Sequence, residues 1–291
     1  MASTSTLSKP SSISLQGKKG LVEIIPIQTG TARLKTEFRD AIHKGLHGKL
    51  DILLDHNFTD PMPVLTWLVK HPEGIFIIDT GTNSRVNDPG YFDGENHLDQ
   101  WINETQVRFE ISKEQELGFQ LRQMGIENKD IKKIILTHLH IDHADGLHDF
   151  EGVEIQVNKL EWEEPNLAVT SLFPKWFKPT LLPVGQISLE NFPAFPLTFS
   201  DDLFLIHTPG HTVGHCSVLL KGADINIIFA GDVVYNQVQL KTDSLSMANQ
   251  SPDLSEQSKN KLRTMMAKQR SVYLPSHDPY SVNRLMNLES Y

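Results

Sequence analysis

The sequence predicts an α/β fold in one domain, and three observations carry that prediction. Short runs of β-branched and aromatic residues alternate with amphipathic segments of helical period, no internal repeat is visible, and strand ends are repeatedly followed by loops rich in His and Asp. At 291 residues, 39% hydrophobic and 22% charged, the chain can bury a full core in one large domain without calling for two. Residues 21–291 are read as that domain. Residues 1–20, rich in Ser and Thr and without an apolar stretch of signal-peptide length, are read as a flexible tail.

Taken in order, Leu21 to Gln28 is the first expected strand. Val64 to Val69 and Gly74 to Ile78 follow as a hairpin around the turn His71-Pro72-Glu73-Gly74. Ser112 to Gly125 is the clearest helix: Ser112 and Gln115 make a capping-box pattern, Leu117, Leu121 and Met124 share one face, and Gly125 closes it. Ile131 to Leu136 is a strand that delivers its following loop at its carboxyl end, where open-sheet α/β proteins tend to place their sites. The apolar runs Leu203 to Ile206 and Ile225 to Ala230 are further strands. A helix over Leu254 to Lys268, with Ser251-Pro252 near its start, turns Leu262, Met265 and Met266 inward.

The loop after the Ile131 strand carries the chemistry. It reads Thr-His-Leu-His-Ile-Asp-His-Ala-Asp and places His138, His140, Asp142 and His143 within six residues. Imidazole and carboxylate are the common ligands of zinc-like metals, three His and an Asp at this spacing have no packing rationale, and four donors on one segment can divide between two ions. Two ions need further donors and an anionic bridge. His211 follows Pro209-Gly210 at a strand end, Asp232 emerges from a buried strand directly after Gly231, and His277 sits between Pro275 and Pro279. Each of these alone is an ordinary loop residue; the upstream cluster makes them candidates, with Asp232 as the natural bridge. The other histidines are read as surface or hydrogen-bonded residues, although His215, four positions after His211, is placed to orient a ligand.

This ligand order, from roughly Leu21 to Pro279, resembles the metallo-β-lactamase superfamily of binuclear metallohydrolases. The resemblance implies a four-layer αββα sandwich. It also implies one metal on His138, His140 and His211, another on Asp142, His143 and His277, and Asp232 bridging them. The segment Phe76-Ile77-Ile78-Asp79-Thr80-Gly81 resembles the superfamily's second-strand motif, whose Asp supports the ligands without coordinating. Two divalent ions ~3.5–4 Å apart lower the pKa of a shared water toward ~7, so the expected chemistry is attack of a dimetal-bridging hydroxide on an ester, lactone, thioester or amide. Zinc is the expected metal. Iron-based oxygen chemistry, known in the same superfamily, resembles His-x-Glu-x-Asp, whereas the second position here is the nitrogen donor His140.

Asp232 is followed by Val233, Val234 and Tyr235, and this Asp-x-x-Tyr arrangement resembles the N-acyl-homoserine lactonase family of quorum-quenching enzymes, as does Ser276-His277-Asp278-Pro279. By that resemblance Tyr235 holds the substrate carbonyl or the developing oxyanion, and Asp142 passes a proton to the leaving alcohol. The expected function is therefore hydrolysis of the lactone ring of N-acyl-homoserine lactones. The alternatives are an aryl esterase, a glyoxalase II-like thioesterase, or a non-catalytic metal-binding scaffold. Glyoxalase II proteins carry a helical glutathione-binding region after the last ligand, whereas fourteen residues follow His277. Class B β-lactamases usually have His or Cys near the position of Asp232. A scaffold descended from an enzyme would be expected to lose a ligand, and all seven are present.

Charge and composition narrow the partners. At a net charge of −9 nothing suggests a phosphate-tracking surface, which would need clustered Lys and Arg, and this counts against the superfamily's nucleases. No run approaches the ~18 apolar residues of a membrane helix. Cys216 is the only cysteine, which permits a reducing compartment, and a cytoplasmic location is expected. A fatty acyl tail requires an apolar groove beside the metals. Leu160 to Val184 carries Trp162, Leu167, Leu172, Phe173, Trp176 and Phe177 interrupted by four prolines, which excludes one regular helix and leaves a lid, an acyl wall, half of a homodimer contact or a core-packing excursion. Ile52 to Pro63, with Phe58 and Met62, is a second candidate wall.

Overall fold

A computed structural model describes residues 11–43, 45–242, 244 and 246–291. Fourteen strands alternate with helices along them. The first sheet contains β1 (Ile13–Gly17), β2 (Gly20–Leu34), β3 (Met62–His71), β4 (Gly74–Ile78), β5 (Val107–Glu110), β6 (Ile131–Ile135), β7 (Ile155–Asn158) and β8 (Thr180–Leu182), in the order β1-β2-β3-β4-β6-β7-β8 with β5 on β2. The second contains β9 (Ile187–Leu189), β10 (Phe192–Pro196), β11 (Leu203–His207), β12 (Cys216–Lys221), β13 (Asn226–Gly231) and β14 (Ser271–Pro275), in the order β14-β13-β12-β11-β10-β9. The helices are α1 (Thr36–Arg39), α2 (Gly45–Leu54), α3 (His97–Thr105), α4 (Leu117–Gln123), α5 (Ile141–Ala144), α6 (Lys159–Glu163), α7 (Gln237–Lys241), α8 (Pro252–Lys268) and α9 (Ser281–Asn287).

The period-two alternation of each strand sorts its side chains into layers. Val22, Ile24, Leu65, Trp67 and Val69 of the first sheet pack against Val218, Leu220, Phe229 and Leu274 of the second, with the Trp67 and Phe229 rings 5.4 Å apart. On the outer face of the first sheet, Ile25, Ile27, Leu68 and Ile77 are covered by Leu117 and Leu121 of α4. On the outer face of the second, Phe204, Ile206, Leu219 and Ile228 are covered by Leu262, Met265 and Met266 of α8. The layers therefore run helix, sheet, sheet, helix, as the αββα expectation required.

Several elements differ from expectation. The tail expectation through residue 20 is corrected at Ile13–Gly17, which pairs antiparallel with β2 and buries Leu15 between the sheets; residues 1–10 lie outside the described residues. The Leu21 strand runs on to Leu34, because after a bulge between Gln28 and Thr31 it gains β5 as a partner, while Thr31 and Ala32 still pair with β3. The Ser112 helix is broken. Its capping box closes one 3₁₀ turn, Lys113–Gln115, and Glu116 is extended because its carboxylate accepts hydrogen bonds from the Ser84 N–H and hydroxyl at 3.0 and 2.6 Å. α4 then starts afresh at Leu117.

β4, β6 and β11 end at one edge of the sandwich, as do β13 and β14. The loops leaving those ends carry Asp79, the His138–His143 cluster, His211, Asp232 and His277.

Candidate metal centre

All seven donors expected from the sequence meet at that edge. His138, His140 and His211 present ligand atoms within 4.8 Å of one another, as do His138, His143 and Asp232, and Asp142, His143 and His277. Asp232 is shared ground: its Oδ1 lies 3.3 Å from His143 Nε2, and its Oδ2 lies 3.6 Å from His211 Nε2 and 3.2 Å from His277 Nε2. His138, His143, His211, Asp232 and His277 are all buried, while His140 and Asp142 are half-buried on the cleft side.

The outer hydrogen bonds assign which nitrogen of His138, His140, His143 and His277 faces the centre, since an N–H donated outward leaves the other nitrogen as a lone pair. His140 donates Nε2–H to Asn166 O at 2.9 Å, and His277 donates Nδ1–H to Pro63 O at 2.9 Å. His143 donates Nδ1–H to Asp79 Oδ2 at 2.8 Å. His138 Nδ1 meets the Thr137 hydroxyl at 3.0 Å, and that hydroxyl itself donates to Asp79 Oδ2. What remains inside is a set of acceptors: Nε2 of His138, His143 and His277 and Oδ1 of Asp232 are buried without a hydrogen-bond partner, and His140 Nδ1 sits 2.9 Å from His211 Nε2. Buried acceptors converging without donors are costly unless a cation takes their lone pairs. The donor set therefore fits divalent metal.

The electrostatics agree. Burial pushes His138 well below the usual imidazole range, and the neighbouring His143, His140 and His211 push it further. Burial would do the same to His277, but Asp232 and Asp142 more than offset it and lift the group to about 10, so a proton on its Nε2 competes with a metal for the place between the two carboxylates. The carboxylates thus concentrate negative charge that calls for a counter-cation, as they would in a metal site.

Two residues hold this arrangement from behind. Asp79 accepts from Thr137 N at 2.8 Å as well as from Thr137 Oγ1 and His143, and it does so from the left-handed backbone region, at φ 61°. Such strain in a non-glycine residue concentrates at functional sites. His215 is turned away from the metal position: its Nδ1 bonds Thr208 O at 3.1 Å and its Nε2 accepts the Asp232 N–H at 3.0 Å. It therefore aims the shared carboxylate. Gly231 has φ 57°, and a Cβ there would come within 2.6 Å of His215 Nε2, so the turn between β13 and Asp232 requires glycine.

A cleft opens over the centre between His140, Asp142, His211 and Asp232, and Tyr235 lines it. The Tyr235 ring is buried, 5.7 Å from the His277 ring and 6.1 Å from His211. Burial, and then Asp232 and Asp142, hold its phenol well above the ordinary range, so it stays a donor. Apart from Asn103 the rest of the lining is apolar: Leu34, Phe38 of α1, Ile102 of α3, Val107 and Phe109 of β5, Ile141 of α5, Leu167 and Ala248. Past Asn103, Val107 and Phe109, an adjoining cavity of about 450 Å³ shares those three residues as a wall.

Among the readings left open for the two candidate walls, core packing holds for most of each. Of the Leu160–Val184 segment only Leu167 lines the cleft; Phe173, Trp176 and Phe177 pack on the outer face of the first sheet. Of Ile52 to Pro63, Ile52 and Met62 join the cluster behind Phe38 without lining the cleft, and Phe58 stacks under Arg108. The true lining escaped sequence reading because its residues come from segments far apart in the chain. The one local signal was β5 itself, whose alternation in Val107-Arg108-Phe109-Glu110 puts two apolar side chains on one face.

Comparison with known proteins places this arrangement. The model of the metallo-beta-lactamase superfamily matches residues 59–277. The chain belongs to that superfamily, whose fold and donor set define a metal-dependent hydrolase. Among curated relatives, an N-acyl homoserine lactonase of Bacillus sp. is 27% identical over 221 residues, covering 75% of this chain and 82% of that protein. The N-acyl homoserine lactonase AttM of Rhizobium radiobacter is 26% identical over 236 residues, with the same coverage, 75% and 82%. Among solved structures, an N-acyl homoserine lactone hydrolase with N-hexanoyl-L-homoserine bound at its catalytic metal center superposes with a TM-score of 0.72 at 20% identity, covering 93% of this chain and 96% of that one. The dizinc quorum-quenching lactonase AidC superposes with a TM-score of 0.64 at 18% identity, covering 93% and 90%. At such identities the structures establish the fold. No helix among the described residues is long and apolar enough to cross a membrane.

Proposed function

We propose that this protein opens the lactone ring of N-acyl homoserine lactones. The observation that carries the reading is the juxtaposition of the seven-donor centre with a protonated phenol, Tyr235, beneath an apolar cleft. The curated relatives support it, being lactonases by name over three quarters of this chain. His138, His140 and His211 would hold one ion, Asp142, His143 and His277 a second, and Asp232 would be common to both; nitrogen and carboxylate donors of this kind favour zinc. When bound, the ions supply a water acidified enough to act as a nucleophile and polarise the ester carbonyl.

The chain's own residues do the rest. The apolar cleft, about 50 Å³ by itself and continued past Val107 and Phe109 by the adjoining cavity, takes the acyl tail, with Ile102 and Phe38 completing its wall, and each buried methylene contributes up to about 0.8 kcal/mol of binding. Tyr235 donates its hydroxyl proton in a hydrogen bond to the carbonyl oxygen as that oxygen gains charge. Asp142 is poised as a carboxylate: burial would raise its pKa, but His143 and His277 hold it at about 2. It can therefore take the proton given up by water as the acyl carbon–oxygen bond forms, and return it to the alkoxide as the ring carbon–oxygen bond breaks.

The test is ring opening of N-hexanoyl and N-decanoyl homoserine lactone, followed by proton release, with metal content measured in parallel. Fast opening with about two metals per chain supports the reading. Inactivity on both lactones at full metal content, with p-nitrophenyl acetate or S-lactoylglutathione cleaved instead, would overturn the substrate and keep the hydrolase.

A further inference from the structure

Glu161 lies outside the ligand set, on α6, and is fully buried. Its Oε1 accepts the backbone N–H of Leu139, the residue between His138 and His140, at 2.9 Å. Its Oε2 accepts the hydroxyl of Thr212, the residue after His211. The Gly214 N–H completes the set, and Gly214 lies so close that a Cβ on it would fall 2.1 Å from Glu161 N and 2.5 Å from Glu161 Cβ. One carboxylate thus clasps the two loops that present His138, His140 and His211, which come from different sheets and are 71 residues apart at His140 and His211. Asp79 makes no contact of this kind with the His211 loop; its partners are Thr137 and His143.

We infer that Glu161 is a positioning residue that sets the spacing of the His138–His140–His211 group, so that its loss weakens one metal position and spares the other. The inference rests on the ligand assignment proposed above. Its physical basis is the cost of leaving the buried backbone and hydroxyl donors of both loops without their acceptor, and the 10- to 100-fold loss in metal affinity typical of removing a partner behind a ligand. Glu161→Gln keeps an oxygen for Leu139 N–H and gains an amide that can donate to the Thr212 oxygen, so the clasp survives. Glu161→Ala and Thr212→Val break it, wholly and by one bond respectively.

The experiment titrates Zn²⁺ back into the chelator-stripped full-length wild type and these three variants, and records the melting temperature of each metal-free protein. Wild type should bind two ions. Glu161→Ala should bind one as tightly as wild type and the other about 10- to 100-fold more weakly. Thr212→Val should show the same split in smaller degree, and Glu161→Gln should stay within a few-fold of wild type. Two ions at wild-type affinity in both Glu161→Ala and Thr212→Val overturn the inference, as does equal weakening of both ions. Should Glu161→Ala fail to fold, Thr212→Val, which keeps the carboxylate and the packing, decides alone. A wild type that binds fewer than two ions would instead overturn the ligand assignment beneath.

Discussion

The two ends of this sandwich are built from the same residue types and do opposite things with them. At one end His143 and His277 face Asp232, and each has a buried nitrogen that makes no hydrogen bond. At the other, eight residues along β3 from Pro63 and so roughly 25 Å away, His71 faces Asp202, with both side chains fully buried. There nothing is left over. His71 Nε2 meets Asp202 at 3.3 Å, and its Nδ1 accepts the Glu73 N–H at 3.0 Å. Asp202 also accepts from the Ser200 and Thr198 hydroxyls and from Lys18 N–H, tying the β1–β2, β3–β4 and β10–β11 turns together. A buried histidine beside a carboxylate is therefore not diagnostic. Leftover acceptor capacity aimed at one point is.

If that distinction is right, the two ends should separate function from stability. The largest effect expected is that of Asp232→Ala, which removes the carboxylate common to both metal groups: lactone turnover should fall by roughly 10³-fold or more, and metal analysis should show that paired binding is lost. Tyr235→Phe should come next. Removing one donor to a developing oxyanion costs on the order of 10²-fold in kcat, and here bound metal should remain at the wild-type level; parallel loss of metal would make Tyr235 a structural prop. Phe109→Ala acts on the wall, away from the ions. It should raise KM for N-decanoyl homoserine lactone about 10-fold while hardly changing that for the butanoyl compound, and a flat profile from butanoyl to dodecanoyl lactones in the wild type would remove the acyl groove altogether.

The same contrast explains what could be read from the chain. His138, His140, Asp142 and His143 are legible because one strand end delivers them together, and His211, Asp232 and His277 because each follows an apolar run at a glycine or proline. Nothing local distinguishes His71 from a ligand, because its partner Asp202 is 131 residues away. Glu161 is invisible for the same reason, reading as one of several acids on a short helix until the fold brings Leu139 and Thr212 to it. The cleft wall fails for a different reason. Apolar runs announce burial without saying against what, so the richest run, Trp162 to Phe177, puts Phe173, Trp176 and Phe177 on the outer face of a sheet and gives the cleft only Leu167, while scattered Leu34, Ile102 and Phe109 make most of the wall.

The smallest effect belongs to the far end, and its sign is fixed by Glu73. Burial would raise this carboxyl, but the Phe199 and Ser200 N–H groups, at 2.7 and 2.8 Å, together with Lys19 hold it down at about 2, against an ordinary 4.5. A folded-state pKa below the unfolded one favours the folded protein once the group is ionised. The contribution is complete above about pH 4.5 and disappears as pH falls toward 2. Solvent screening of a group at the surface keeps it at or below about 1 kcal/mol. Glu73→Gln should therefore lower the melting temperature slightly at neutral pH and flatten the loss of stability between pH 4.5 and 2. Metal content and lactone turnover at neutral pH should be unchanged, because no bond of Glu73 reaches a ligand. A fall in bound metal in this variant would mean that the two ends are coupled through β3 and β4, and that the far cluster helps to space the site as well as closing the sandwich.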